Sequence, residues 1–379
     1  MKTIHDKAQR NDDGENIRLA EFKDIPSVER DGKKVAREVS DATYHQGRMW
    51  IVDNEDDQNL LVMEKDGSLS AFPLPAYGRI SDLEGITSDT ESLYLMAGGG
   101  LSHSGKMKPK RFAMARVILQ EDEPVEVRIV DMLEWLVPVA QELGMKMEKA
   151  KDPDGDTIEV PKDGKFEGLA MMPDGLLLMG IRKPLVKDRA VILQLDGYRE
   201  AFDQEKASLI RPKVFAKLDL DGGGISAFEY DPVGSRLFLL GIHAKKRRTD
   251  LYAWTGGKPE RIYKFHGHKA EGVARLGDSS RILILCDDED RDKTKMGRYT
   301  FLENDRLRRI FRNYPPPKEN SKCKLRYGTT NKRRKYSTSI GVQESKAMMS
   351  FADDRRGHSS ETRFPTGQWN EQLIIGKSS

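Results

Sequence analysis

Three observations on this chain point to one architecture. Five units of strand, turn, strand, loop and strand follow one another. Three of them open on a Glu-Gly pair, and the spacing starts near the roughly forty residues of a propeller blade before insertions lengthen it. Together they predict an all-β fold, a single β-propeller of five or six blades, with a short helical insertion and a disordered C-terminal tail.

The segment 1–35 is polar and weakly patterned. Within it Ile17-Arg18-Leu19-Ala20-Glu21-Phe22 alternates like a strand and is a candidate to close the ring by joining a later sheet. The propeller is expected over 36–313. Its first unit holds Met49-Trp50-Ile51-Val52 and Leu60-Leu61-Val62-Met63. The second opens on Asp82-Leu83-Glu84-Gly85-Ile86 and continues through Leu93-Tyr94-Leu95-Met96 and Phe112 to Val117. From Asp131 to Lys149, Leu133, Leu136, Val139, Ala140 and Leu143 recur at helical spacing. Asp131 with Glu134 resembles a capping pattern, and Pro138 should kink or shorten that helix. The third unit opens on Lys165-Phe166-Glu167-Gly168-Leu169 and runs through Leu176 to Met179 and Ala190 to Leu193. A second short helix is expected over 199–210. The fourth unit has Leu237 to Leu240 and Leu251 to Trp254. The fifth has Lys269-Ala270-Glu271-Gly272-Val273, Ile282 to Leu285 and Arg298 to Phe301. Beyond it, 314–379 is a basic low-complexity tail carrying Lys332-Arg333-Arg334-Lys335, of a composition that stays disordered. Its abrupt change of composition also fits a shifted reading frame, which intact-mass measurement of the native protein would exclude.

Charged residues make up 33 % of the chain, yet the net charge is only +3. Such a balance argues against specific nucleic-acid or membrane partners. Cys286 and Cys323 lie in different regions and build no disulfide framework. The start lacks an apolar signal core, and no apolar run reaches membrane-spanning length. A soluble, cytoplasmic protein is the expectation.

In a propeller, the loop entering the inner strand and the loop joining the second and third strands emerge on one face. Glu84, Glu167 and Glu271 therefore converge on one funnel with Asp53, His103, Arg182, Lys183, His243, Lys245 and Asp287. Asp41 sits near the matching place in the first unit, and Gly222-Gly223-Gly224 replaces it in the fourth. Converging carboxylates repel unless a cation or proton intervenes, and such oxygen ligands suit Ca²⁺ or Mg²⁺. On that reading Glu84, Glu167, Glu271, Asp53 and Asp287 hold metal. Arg182 and His243 act on a substrate, and His103, Lys183 and Lys245 contact an anionic ligand. The competing reading makes each glutamate an acceptor of backbone N–H bonds that fixes one blade to the next.

Weaker signals favour plain structure. Asp152-Pro153-Asp154-Gly155-Asp156 begins like a calcium loop but has Thr157 where glycine is needed, so an acidic hairpin turn fits better. Gly98-Gly99-Gly100 lacks the strand-to-helix setting of a phosphate loop and reads as a flexible connection. Cys286 follows an apolar run and reads as a buried thiol.

Phe166-Glu167-Gly168-Leu169-Ala170 followed by Leu178-Met179-Gly180-Ile181-Arg182, and Leu251-Tyr252-Ala253-Trp254 before Pro259-Glu260-Arg261, carry a family likeness over roughly residues 38 to 312. The chain resembles a bacterial β-propeller family catalogued as a domain of unknown function. That family is similar in outline to the esterase-like phytase propellers. The resemblance implies calcium and phosphate-ester chemistry by fold analogy alone, and carries over no catalytic residue. Two functions follow as expectations. One is a propeller binding a small anionic ligand or a protein partner at its funnel. The other is a Ca²⁺- or Mg²⁺-dependent hydrolase of phosphate or other anionic esters.

Overall fold

Apolar residues run consecutively along every second strand, and a strand that buries both faces must be sandwiched between two others. In the computed structural model five four-stranded antiparallel sheets meet this need as blades around one axis. The structure describes residues 9–10, 16–17, 19–25, 28–30, 33–35, 38–54, 56–64, 67–76, 78–101, 105–232, 234–243, 248–277, 281–288 and 296–303. These fall in one unit, Met1–Tyr327.

Blade one comprises Val39–His45, Arg48–Asp53, Asn59–Met63 and Leu69–Pro73. Blade two comprises Leu83–Ser88, Ser92–Ala97, Ala113–Gln120 and Glu123–Asp131. Blade three comprises Lys165–Met171, Leu177–Val186, Arg189–Asp196 and Arg211–Leu218. Blade four comprises Gly224–Asp231, Arg236–His243, Arg248–Trp254 and Glu260–Phe265. Blade five takes Ala270–Arg275, Arg281–Asp288 and Met296–Glu303 from late in the chain and Lys23–Asp24 from its beginning. Arg298 pairs with Asp24 and Tyr299 with Lys23, while Ala20 N–H donates to the Phe301 carbonyl at 3.1 Å. The N-terminal strand thus closes the ring, a few residues later than the alternation at Ile17–Phe22 suggests. Closure covers an edge that would otherwise be open to pairing.

The core is divided among the five gaps between neighbouring blades. Trp50 and Val52 meet Leu83 and Leu93 between blades one and two. Met96 and Met114 meet Phe166 and Met179 between two and three. Leu178 and Ile192 meet Ile225 and Leu239 in the next gap, Phe238 and Leu240 meet Ile282 and Ile284 after it, and Leu283 and Leu285 return to Val39 and Ile51. Leu93 and Leu95 face one gap while Tyr94 and Met96 face the other. The period of two along a strand produces this split directly.

The helical insertion α1, Leu133–Glu142, contains Pro138 and buries Trp135, Leu136, Val139 and Ala140 in the gap between blades two and three. Asp131 accepts the Leu133 N–H at 2.8 Å, which uses one orphan donor of the first turn. The second insertion is α2, Tyr198–Asp203, followed by a 3₁₀ turn at Ala207–Leu209. The acidic stretch after residue 151 is the turn of a hairpin between Met147–Lys151 and Thr157–Pro161. There Asp152 accepts the Asp156 N–H at 2.7 Å. The tail lies outside the described residues.

Candidate functional site

Every inner strand carries a β-bulge at the same level. Strand pairing slips between Val39 and Asp41, Leu83 and Gly85, Phe166 and Leu169, Ile225 and Ala227, and Ala270 and Gly272. A bulge leaves one residue without a cross-strand partner and re-aims its side chain. That residue is Glu84, Glu167 or Glu271 in three blades. In the others it is Ser40 and Ser226, so Asp41 and Gly222 to Gly224 are not the matching positions.

The glycine after each glutamate has a separate cause. A Cβ on Gly85 would lie 3.3 Å from the Leu169 backbone, one on Gly168 3.0 Å from Ala227 Cα, and one on Gly272 3.0 Å from Asp41 Cα. Glycine lets the neighbouring inner strand approach. The residue two before the bulge, and the one after the second-strand partner, complete a repeated triplet: Asp82, Glu84 and Gly98; Lys165, Glu167 and Arg182; Lys269, Glu271 and Asp287.

These triplets form one ionic network. Arg182 Nη1 donates to Glu167 Oε1 and Oε2, both at 2.7 Å, and lies 3.5 Å from Glu271 Oε1. Lys269 Nζ lies 2.7 Å from Asp287 Oδ2 and 2.9 Å from Glu271 Oε1. Lys165 Nζ lies 3.3 Å from Asp82 Oδ2 and 3.7 Å from Glu84 Oε1. Arg111 Nη2 grips Asp82 at 2.6 Å, and Asn54 Nδ2 donates to Glu84 at 3.3 Å. Asp82, Glu84, Glu167, Glu271 and Asp287 thus face Arg111, Lys165, Arg182 and Lys269, one carboxylate more than cations. Burial, then Glu167 and Glu271, pushes Glu84 well above the usual carboxylate range. That rise favours the neutral acid at Glu84, the form that adds no further negative charge to the set. Burial also lifts Glu271 to about 7, against the pull of Lys269 and Arg182. Burial would lower Arg182, but Glu167 and Glu271 hold it above its ordinary value.

Glu84, Glu167, Glu271, Asp287 and Arg182 come together as expected. The glutamates accept from side chains rather than from backbone N–H groups. The interblade backbone contacts belong to others: Asp41 Oδ2 accepts the Ile86 N–H at 3.2 Å, and Thr87 Oγ1 accepts the Met171 N–H at 3.0 Å. Asp53 is buried and accepts the Glu38 N–H at 3.3 Å. Lys183 is exposed beside Arg182. His103 and Lys245 lie outside the described residues. His243 joins a different group, buried with its Nε2 3.4 Å from Asp250 Oδ2. Arg248 Nη2 holds the same carboxylate at 2.6 Å. Although burial pushes Asp250 up, His243 and Arg248 hold it below its ordinary range. No hydrogen bond or ion pair joins His243 to Arg182 among the described residues. The blade-four glycines serve close packing, with the His243 ring 3.0 Å from a Cβ placed on Gly223 and the Arg182 carbonyl against Gly224. Nor is Gly98-Gly99-Gly100 a loose connection. Gly98 and Gly99 are buried, Glu84 packs on Gly98, and Gly98 accepts the Phe166 N–H at 2.9 Å.

Lys165, Lys269, Asp82, Arg111 and Asn54 escaped the sequence reading. A lysine two residues before Glu167 and again before Glu271 was the available signal, and it has meaning only once the bulge register is known.

As arranged, these side chains do not fit a divalent ion. Arg182 Nη1 already occupies the position between Glu167 and Glu271. Among the described residues, no group of three or more His, Cys, Asp or Glu side chains is placed to hold a metal.

Fold and axis define a five-bladed β-propeller with a polar centre. No protein-family model matches the chain, and no curated protein matches it. Solved structures do. An exo-β-1,3-galactanase from Clostridium thermocellum is 9% identical with a TM-score of 0.45, over 74% of this chain and 62% of that one. A sialidase from Trypanosoma rangeli is 12% identical with a TM-score of 0.43, over 78% and 61%. A protein of unknown function from Dyadobacter fermentans is 10% identical with a TM-score of 0.40, over 76% and 99%. Likenesses of this size say nothing about activity. No helix among the described residues is long and apolar enough to cross a membrane.

Proposed function

We propose that this protein is a ligand-binding propeller whose funnel face takes a small phosphate- or carboxylate-bearing anion. The observation that carries the reading is Arg182. It is largely buried at the axis, uses Nη1 for both carboxylates, and keeps an Nε–H with no hydrogen-bond partner among the described residues. An unsatisfied guanidinium N–H in a buried site favours an added acceptor. Lys165 and Lys269 share its carboxylate network with side chains 31% and 39% exposed, Lys110, 38% exposed, pairs with Asp57 in the loop that follows Asp53, and exposed Lys183 follows Arg182 in the chain. Each lysine has three donors.

Calorimetric titration of the full chain with inorganic phosphate and with citrate tests the reading. Binding should appear, weaken as salt rises, and weaken further in Lys110→Ala/Lys183→Ala, which leaves the axial pairs intact. Absence of binding to either anion, or binding unchanged by the double substitution, overturns it.

The alternative, suggested by the phytase-like resemblance, is a Ca²⁺- or Mg²⁺-dependent hydrolase of phosphate or other anionic esters. It requires Arg182 to leave the glutamates before a metal enters. Hydrolysis of p-nitrophenyl phosphate that depends on either metal and disappears in Glu167→Gln would replace the binding reading.

A further inference from the structure

At the end of the axis opposite the glutamates, all five inner strands open into a cavity of about 540 Å³, within the size range of small-molecule sites. Its wall carries Glu229 from blade four and Arg275 from blade five, beside the hydroxyls of Thr43 and Ser88. Arg275 is only 8% exposed, and its Nε has no hydrogen-bond partner among the described residues. That Nε instead forms an ion pair with Asp231 Oδ1 at 3.4 Å. Asp231 is already held by Arg236 at 2.8 Å. Glu229 makes no hydrogen bond or ion pair among the described residues, and it forms no pair with Arg275. Burial pushes Glu229 up to about 8; Arg275 draws it down and Asp231 adds to the rise.

Asp89 and Arg199 also line the cavity and pair with each other at 3.4 Å, whereas Glu229 and Arg275 do not satisfy one another. A lone anion entering there would meet the Glu229 carboxyl. A lone cation would meet the Arg275 guanidinium. A molecule carrying both charges would satisfy both groups, and buried polar groups are rarely left unsatisfied. We propose that this cavity binds a small zwitterion of the α-amino-acid type, its ammonium on Glu229 and its carboxylate on Arg275. Tyr44 and Tyr230, which also line the cavity, offer ring faces to an ammonium or an apolar side chain. This site is separate from the anion site at the funnel, and the failure of either leaves the other standing.

The test is thermal denaturation of the full chain at pH 8.5, above the raised Glu229 value of about 8, with individual protein amino acids, with acetate, methylammonium and glucose as controls. At least one amino acid should raise the melting temperature in a dose-dependent way, while the three controls do not. Its methyl ester and its N-acetyl derivative should each lose the effect, because each removes one charge. Glu229→Gln should weaken the affinity by about tenfold, the loss of roughly one charge-assisted hydrogen bond. The proposal is overturned if no amino acid stabilises the protein, if acetate, methylammonium or glucose does so equally, or if the ester and N-acetyl forms bind as well as the parent.

Discussion

Replacing Arg182 with Met isolates the electrostatics of the axis. The substitution keeps an unbranched, bulky side chain but withdraws the cation that lies 2.7 Å from Glu167 and 3.5 Å from Glu271. Removing one partner of a buried ion pair costs about 3–5 kcal/mol because the other charge is left uncompensated. For a chain of this size that is a fall of roughly 10 °C in melting temperature. The loss should depend on pH. Glu84 and Glu271 already have raised folded values, Glu271 near 7, and without Arg182 they rise further. A carboxyl raised on folding contributes stability below its unfolded value near 4.5, and that contribution is lost as pH rises through its folded value. Near pH 5 the glutamates can protonate, so Arg182→Met should approach the wild type. Above pH 8 the deficit should be full. Circular dichroism melts at pH 5, 7 and 8.5 read both quantities. A deficit that is constant across this range, or no deficit at pH 8.5, would refute the claim that Arg182 compensates buried carboxylates.

The other predictions concern different elements. Asp41→Ala leaves the Ile86 N–H without its 3.2 Å acceptor, and urea unfolding should show a loss of about 1–3 kcal/mol. Gly168→Ala imposes φ +80° on a residue with a Cβ and sets that Cβ 3.0 Å from Ala227 Cα; a loss of at least about 2 kcal/mol is expected, against about 0.5 or less for Gly257→Ala, where the space is open. Glu229→Gln removes a group raised to about 8. In the wild type that group's contribution is lost between pH 4.5 and 8, so the variant's melting curve should be flatter over that window and lie above the wild type beyond it. A parallel pair of pH profiles would show that Glu229 is not shifted.

Much of the fold could be read from the sequence because its signals are local. Runs such as Leu93 to Met96 and Ile282 to Leu285 mark strands buried on both faces, and the recurring Glu-Gly pair marks equivalent places. The closing strand was harder. Lys23–Asp24 is two residues long and its partner lies in Met296–Glu303, so no local pattern specifies the pairing. The glutamates' convergence was also legible, but their partners were not. Arg182 and Glu271 are 89 positions apart, and only ring closure brings them together.

The same register explains why the axis is one-sided. Blade four has Gly224, Ser226 and Ile242 at the positions where blade three has Lys165, Glu167 and Arg182. The cations of the triplets come from blades three and five alone, Glu38 stands at the first of these places in blade one, and Asp82, Glu84 and Gly98 make blade two purely acidic there. That deficit of cations is filled from outside the repeat by Arg111 on Asp82 and by Lys165 reaching across from blade three. Propeller symmetry sets where the carboxylates stand, while departures from it decide which cation reaches each one. Any ligand specificity at the funnel must therefore arise from the unequal blades, and exchanging Ile242 for Arg should add a fifth cation and alter anion binding without substituting the glutamates.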